Sequence, residues 1–237
     1  MAPPKAVFFD LDDTLVDHQH SFRSGLRALQ REYPRLEKVS FQTLEDTYIE
    51  LLEKLHQQVL SGAWSLDEAR FERFRQLFLR FGETPSPDEI SAIVRLQREV
   101  YVSTQRPVAG AIPLLEHLRQ RSISIVIVTN NLTHEQRSKL QLCGLEPLVD
   151  FMVTSEDVGI PKPHPPIFEA ALTNAQCRVD EVIMIGDSWH SDVIGARDMG
   201  IRALWLNRYG APCPDKSFAT EIKSFEPIDH LLELLNL

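Results

Sequence analysis

Two textures of apolar and polar positions divide this chain. Near its start, Lys5-Ala6-Val7-Phe8-Phe9 carries a short unbroken apolar run, the pattern of a strand buried on both faces. From about residue 17 to 105 the apolar residues instead recur at helical spacing. Phe22, Leu26 and Leu29 form one stripe, and Leu44, Tyr48, Leu51, Leu52 and Leu55 a second. Phe71, Phe74, Phe78 and Phe81 form a third, and Ile90, Ile93, Val94 and Val100 belong to a fourth segment. Breaks fall at Pro34, at Ser61-Gly62, and at Gly82 followed by Pro85 and Pro87, which predicts about four helices.

After Arg106-Pro107 strands return. A helix over about 111–121 precedes the β-branched run Ile123 to Val128, which ends at Thr129-Asn130-Asn131. A further helix closes near Gly144, then come a short strand at Phe151-Met152-Val153 and a helix from Pro163 to Asn174. Glu181 to Ile185 reads as another buried strand, ending at Gly186-Asp187-Ser188. A helix leads on to Gly200, and Arg202 to Leu206 is read as the last strand. Strands alternating with helices predict an α/β fold with a parallel, Rossmann-like sheet covered on both faces. The domain reading is a core of residues 1–16 and 106–237, with an inserted all-α domain over 17–105.

The chemistry sits where predicted strands end. Asp10 and Asp12 follow the first strand, and residues two apart in an extended chain face the same side. Open parallel sheets bind ligands at this carboxyl edge. Two carboxylates in one site repel, so a bound cation or a raised pKa must hold them together. An EF-hand loop counted from Asp10 would need Gly and Glu where Leu15 and Ser21 stand, so that reading fails. An ordinary acidic turn after a strand is the alternative for this segment alone. Thr129 ends the second strand, Asp187 and Asp192 follow the fourth, and Lys162 lies in Gly159-Ile160-Pro161-Lys162-Pro163 before a helix. Singly, each has a bland reading: a strand end, a surface lysine, a helix cap, a solvated carboxylate. Jointly they supply carboxylates for Mg2+, a cation and a hydroxyl for a phosphoryl group, and a candidate nucleophile.

Composition narrows the classes. Of 237 residues 43% are hydrophobic, enough for a real core. The net charge of -9 excludes a broad basic face for nucleic-acid polymers. No apolar run reaches membrane-spanning length. Three separated cysteines, Cys143, Cys177 and Cys213, imply neither a zinc site nor a disulfide framework, and the eight histidines lack ligand spacing. With no signal-peptide pattern, a reducing cytoplasm is expected.

The four clusters together resemble the haloacid dehalogenase-like hydrolase superfamily. Asp10-Leu11-Asp12-Asp13-Thr14-Leu15 is similar to its first motif, Val128-Thr129-Asn130 to the second, Lys162-Pro163 to the third, and Gly186 to Asp192 to the fourth. The position of the helical block, between the first two motifs, matches members with a helical type 1 cap. The resemblance implies Mg2+-dependent phosphatase activity. By it, Asp10 is the nucleophile that forms an aspartyl-phosphate, and Asp12 is the acid and base. Thr129, Asn130 and Lys162 bind the phosphoryl group. Asp10, the Asp12 carbonyl and Asp187 hold the metal, and Asp192 supports it. Asp13 stands where many members have glycine.

Asp12 favours phosphate esters over haloacids, because an alkoxide needs a proton as it leaves and a halide does not. A sugar-phosphate mutase, a haloacid dehalogenase and a non-catalytic phosphate-ligand-binding protein are the alternatives. Within the superfamily the chain looks most similar to nucleotide 5'-phosphatases and N-acylneuraminate-9-phosphatases, through Ser155 to Gly159 and the texture around Trp64 and Phe71. The expected substrate is a small phosphate ester such as a nucleoside monophosphate or sugar phosphate, turned over by a monomer or homodimer. Trp64 or Tyr48 could stack on a base, but the phenylalanine stripe reads as helical core. His18 reads as a solvated linker residue.

Overall fold

A computed structural model describes residues 2–215 and 217–237 and divides the chain into two units, Met1–Asp17 with Arg106–Leu237, and His18–Gln105. The first strand, β1 (Ala6–Phe9), has all four residues buried. Its alternating side chains feed two separate cores. Val7 and Phe9 enter one and Ala6 and Phe8 the other, so the unbroken apolar run reflects cover on both faces.

The helical unit runs α1 (His18–Glu32), α2 (Pro34–Glu37), α3 (Phe41–Leu60), α4 (Leu66–Arg80) and α5 (Pro87–Ser103). Pro34 therefore opens a short additional helix, a place proline suits because its missing N–H is not needed there. Ser40, Ser65 and Ser86 cap α3, α4 and α5, and Ser65–Glu68 and Ser86–Glu89 form reciprocal capping boxes. Phe22, Leu26, Leu44, Leu51, Phe74, Phe78, Ile90 and Ile93 make this unit's core. Phe71 and Phe81 are only half-buried at its margin. Tyr48 is buried and accepts a hydrogen bond from Arg73, whereas Trp64 is exposed in the turn before α4. His18 departs from the solvated-linker reading. It begins α1, its Nδ1 lies 2.9 Å from the Tyr101 hydroxyl, and its ring packs against Phe22 and Tyr101.

The sheet-bearing unit continues with α6 (Ala111–Gln120), β2 (Ser124–Thr129), α7 (Thr133–Leu142), β3 (Phe151–Thr154), α8 (Ser155–Val158), α9 (Pro165–Ala175) and β4 (Val182–Gly186). A π-helical turn, Trp189–Ile194, then leads into α10 (Gly195–Asp198), followed by β5 (Arg202–Leu206), β6 (Thr220–Ile222) and α11 (Ile228–Leu235). The strands form one parallel sheet in the order β3-β2-β1-β4-β5-β6. Arg202–Leu206 is thus not the last strand. The edge strand β6 has three residues, of which only Ile222 is buried, too short to leave a periodic signal. Leu114, Leu115, Leu118, Leu231 and Leu235 of α6 and α11 cover one face, and Ile167, Phe168 and Ala171 of α9 cover the other.

Register fixes what meets at the carboxyl edge. Phe9 pairs with Ile127 on β2 and with Ile185 on β4, so all three central strands end nearly level. β1 also marks the point where the strand order reverses, the usual ligand crevice of such sheets.

Candidate active site

Asp10 is the first residue beyond β1, and its N–H donates to Ile185 O at 3.0 Å. The chain then turns sharply. Asp13 N donates to Val16 O at 2.7 Å, and Leu15 N and Val16 N both donate to Leu11 O. Asp13 sits at φ 60°, in the left-handed region that Gly, Asn and Asp tolerate best, so an aspartate is accommodated at this turn. The buried Thr14 hydroxyl accepts from Asp187 N at 3.1 Å, tying the β1 loop to the β4 loop.

Lys162 is the hub. Its Nζ donates to Asp10 Oδ1 at 2.7 Å, Asp192 Oδ1 at 2.6 Å and the Val128 carbonyl at 2.6 Å. An ammonium has three donors, and here all three are used. Asn130 holds the backbone of the same lysine at two points. Its Oδ1 accepts from Lys162 N at 2.7 Å and its Nδ2 donates to Lys162 O at 2.9 Å. The Asn130 side chain is therefore engaged with Lys162 and is not aimed at a ligand. Gly195 allows the helix after β4 to approach Phe168 and Pro163, since a Cβ there would lie 2.7 Å from the Phe168 ring.

Asp192 is 1% exposed. Its Oδ2 accepts from Ser188 N at 3.0 Å, and the π-helical turn spanning it widens the backbone at this point. Among the described residues, Asp10, Asp187 and Asp192 form a carboxylate cluster in which each offers an oxygen within 4.8 Å of the others.

Burial pushes the Asp10 carboxyl up to about 7 despite the opposing pull of Lys162, with Asp192 and Asp12 adding to the rise. Burial, then Asp10, Asp192 and Asp13, hold Asp187 well above the usual carboxylate range. Burial would lower Lys162, but its two carboxylate partners outweigh that and keep it firmly charged. Three carboxyl groups, two of them paired with Lys162, bring hard oxygen donors together. That donor set fits Mg2+, which binds through one or two carboxylates and retains water. Asp10 and Asp187 are the better ligands, because both Asp192 oxygens already serve Lys162 and Ser188.

Asp12 and Thr129 form a second group with two residues that the sequence patterns did not flag. Lys139 Nζ lies 2.6 Å from both Asp12 oxygens. Gln136 Nε2 donates to Asp12 Oδ2 at 3.0 Å and to Thr129 Oγ1 at 2.6 Å. Both partners come from α7. A signal was present in Thr133-His134-Glu135-Gln136-Arg137-Ser138-Lys139, which has no apolar residue before Leu140 to make an inward face. The structure brings the six aspartate, threonine and lysine residues singled out from sequence to this one edge of the sheet.

A parallel sheet with acidic groups, a buried lysine and a hydroxyl at its carboxyl edge makes a site suited to metal-assisted chemistry on an anionic group. Residues 4–200 match the haloacid dehalogenase-like hydrolase family. The chain belongs to that family and is a hydrolase. It is 29% identical to the glyceraldehyde 3-phosphate phosphatase of Methanothermobacter thermautotrophicus, over 86% of this chain and 85% of the relative. It is 30% identical to the pyrimidine 5'-nucleotidase YjjG of Escherichia coli, over 95% of this chain and 96% of that one. The magnesium-bound structure of the HAD-hydrolase YfnB from Bacillus subtilis shares the fold, with a TM-score of 0.76, 24% identity and full coverage of both chains.

Proposed function

We propose that this hydrolase is a Mg2+-dependent phosphatase of a small phosphomonoester, acting through an aspartyl-phosphate on Asp10. The observation that carries the reading is Asp10 itself, a buried carboxylate at the end of the central strand, ion-paired to Lys162 and clustered with Asp187 and Asp192. The names of its relatives support the substrate class, since they include a sugar-type phosphatase and a nucleotidase.

In this reading an Asp10 oxygen attacks phosphorus and the bond to the leaving oxygen breaks, with a proton supplied by Asp12. Asp12 then takes a proton from water, whose oxygen attacks the phosphorus and releases inorganic phosphate and free Asp10. Ester plus water gives alcohol plus phosphate. Thr129 and Lys162 are the side chains assigned to the phosphoryl group, Thr129 through its hydroxyl and Lys162, whose donors hold Asp10 and Asp192, through its charge, and Asn130 serves by fixing the Lys162 backbone. Mg2+, held by Asp10 and Asp187 with Asp192 behind them and the Asp12 carbonyl as a further ligand, would neutralise charge on the transferring phosphoryl group.

The helical unit, inserted between the first and second motifs, is assigned the selection of the leaving group, with nucleoside monophosphates and sugar phosphates as the candidates. Among the described residues no helix is long and apolar enough to cross a membrane. The free cysteines Cys143, Cys177 and Cys213 suit a reducing cytoplasm. The test is phosphate release from a panel of nucleoside monophosphates, sugar phosphates and an aryl phosphate, with Mg2+ and then with EDTA. Mg2+-dependent release supports the reading. Isomerised sugar phosphate without net release would make the protein a mutase, and no reaction at all would leave a binding protein.

A further inference from the structure

The interior face of α7 is polar. Gln136 is fully buried and Lys139 is 3% exposed, with Glu135 and Leu140 beside them. A helix packed on a sheet normally buries an apolar stripe. Burying a lysine and an amide brings a desolvation cost that apolar residues of similar size would avoid. Gln136 adds to that cost, since its Oε1 is buried with no hydrogen-bond partner among the described residues. Fold stability therefore does not account for the pair.

Their contacts do. Gln136 and Lys139 are three apart on α7, so both side chains leave the same face. Lys139 takes both oxygens of Asp12, which fixes the carboxylate plane as well as its position. Gln136 presents its N–H2 to Asp12, whose Oδ2 accepts the hydrogen bond. The same nitrogen donates to Thr129 Oγ1, which commits a Thr129 lone pair and leaves its O–H to donate elsewhere. We propose that Lys139 and Gln136 are positioning residues for the hydrolytic reaction, Lys139 by setting Asp12 and Gln136 by coupling Asp12 to the Thr129 hydroxyl. The inference rests on the phosphatase reading above.

The test compares two esters. Phosphoryl transfer from an aryl phosphate with an acidic leaving group needs little help from Asp12, whereas transfer from an alkyl phosphate needs a well-placed acid. For Lys139→Met, kcat/KM for an alkyl phosphate should fall about 100-fold, while kcat/KM for an aryl phosphate stays within about threefold. Phosphoenzyme should accumulate with the aryl ester, because Asp12 is also needed to activate water. Gln136→Leu should lower kcat/KM for both esters, through Thr129, with a larger deficit for the alkyl ester. Thermal unfolding of both variants is read alongside, and Lys139→Arg should recover part of the alkyl activity. Equal loss on the two esters in Lys139→Met, no loss in either variant, or unfolding of both variants would overturn the proposal. Failure of the wild type to hydrolyse any ester would instead overturn the phosphatase reading.

Discussion

Gly186 leaves the space that the Asp192 carboxylate fills. A Cβ built on Gly186 would collide with the Asp192 carboxyl group, and Gly186 is not in a left-handed conformation that would itself demand glycine. The glycine that ends β4 is thus a matter of room beside a carboxylate held by Lys162 and Ser188.

Gly186→Ala should therefore displace Asp192 and disturb Lys162 through it. Overpacking of this kind costs about 1–3 kcal/mol. Denaturant unfolding should register that loss, and the apparent Mg2+ affinity in a turnover assay should weaken further than stability alone explains. Unchanged affinity and activity would mean that Asp192 has no part in supporting the metal.

Burial raises the carboxyls of Asp10 and Asp187 above their ordinary values, Asp10 to about 7. Between the ordinary carboxylate range and that value, the metal-free folded state holds protons that the unfolded chain has lost. Stability from these groups is therefore present at low pH and declines as pH rises toward 7. A dication binds the ionised carboxylates, so Mg2+ should raise the melting temperature more at about pH 8 than at about pH 5, with proton release on binding. Calorimetry in buffers of different ionisation enthalpy measures that release. A Mg2+ effect equal at both pH values would argue against metal binding at this pair.

The catalytic edge was legible because each of its carriers ends an apolar run. Asp10 and Asp187 follow β1 and β4, Thr129 is the last residue of β2, and the level register of those strands brings them together. Lys162 was legible only by resemblance, since a lysine between prolines has no periodic signature. Gln136 and Lys139 went unnoticed because a polar helix reads as a solvated one until its burial is known. Asn130 was assigned to the phosphoryl group from the motif it ends, and its grip on the Lys162 backbone is a contact 32 residues away that no local pattern encodes. The short edge strand β6 was missed for lack of length, and α2 because Pro34 reads as a break when it opens a helix.

Hydrolysis through Asp10 requires that its carboxylate become covalently phosphorylated. Acid quench of the enzyme during turnover of an aryl phosphate, followed by mass spectrometry of the peptide containing residues 5–17, measures this directly. The wild-type peptide should carry a phosphoryl group in the presence of Mg2+, localised to Asp10. A folded Asp10→Asn variant should show no phosphoryl group and no phosphate release. Turnover that persists in Asp10→Asn, or a phosphoryl group localised to another residue, would contradict Asp10 as the nucleophile.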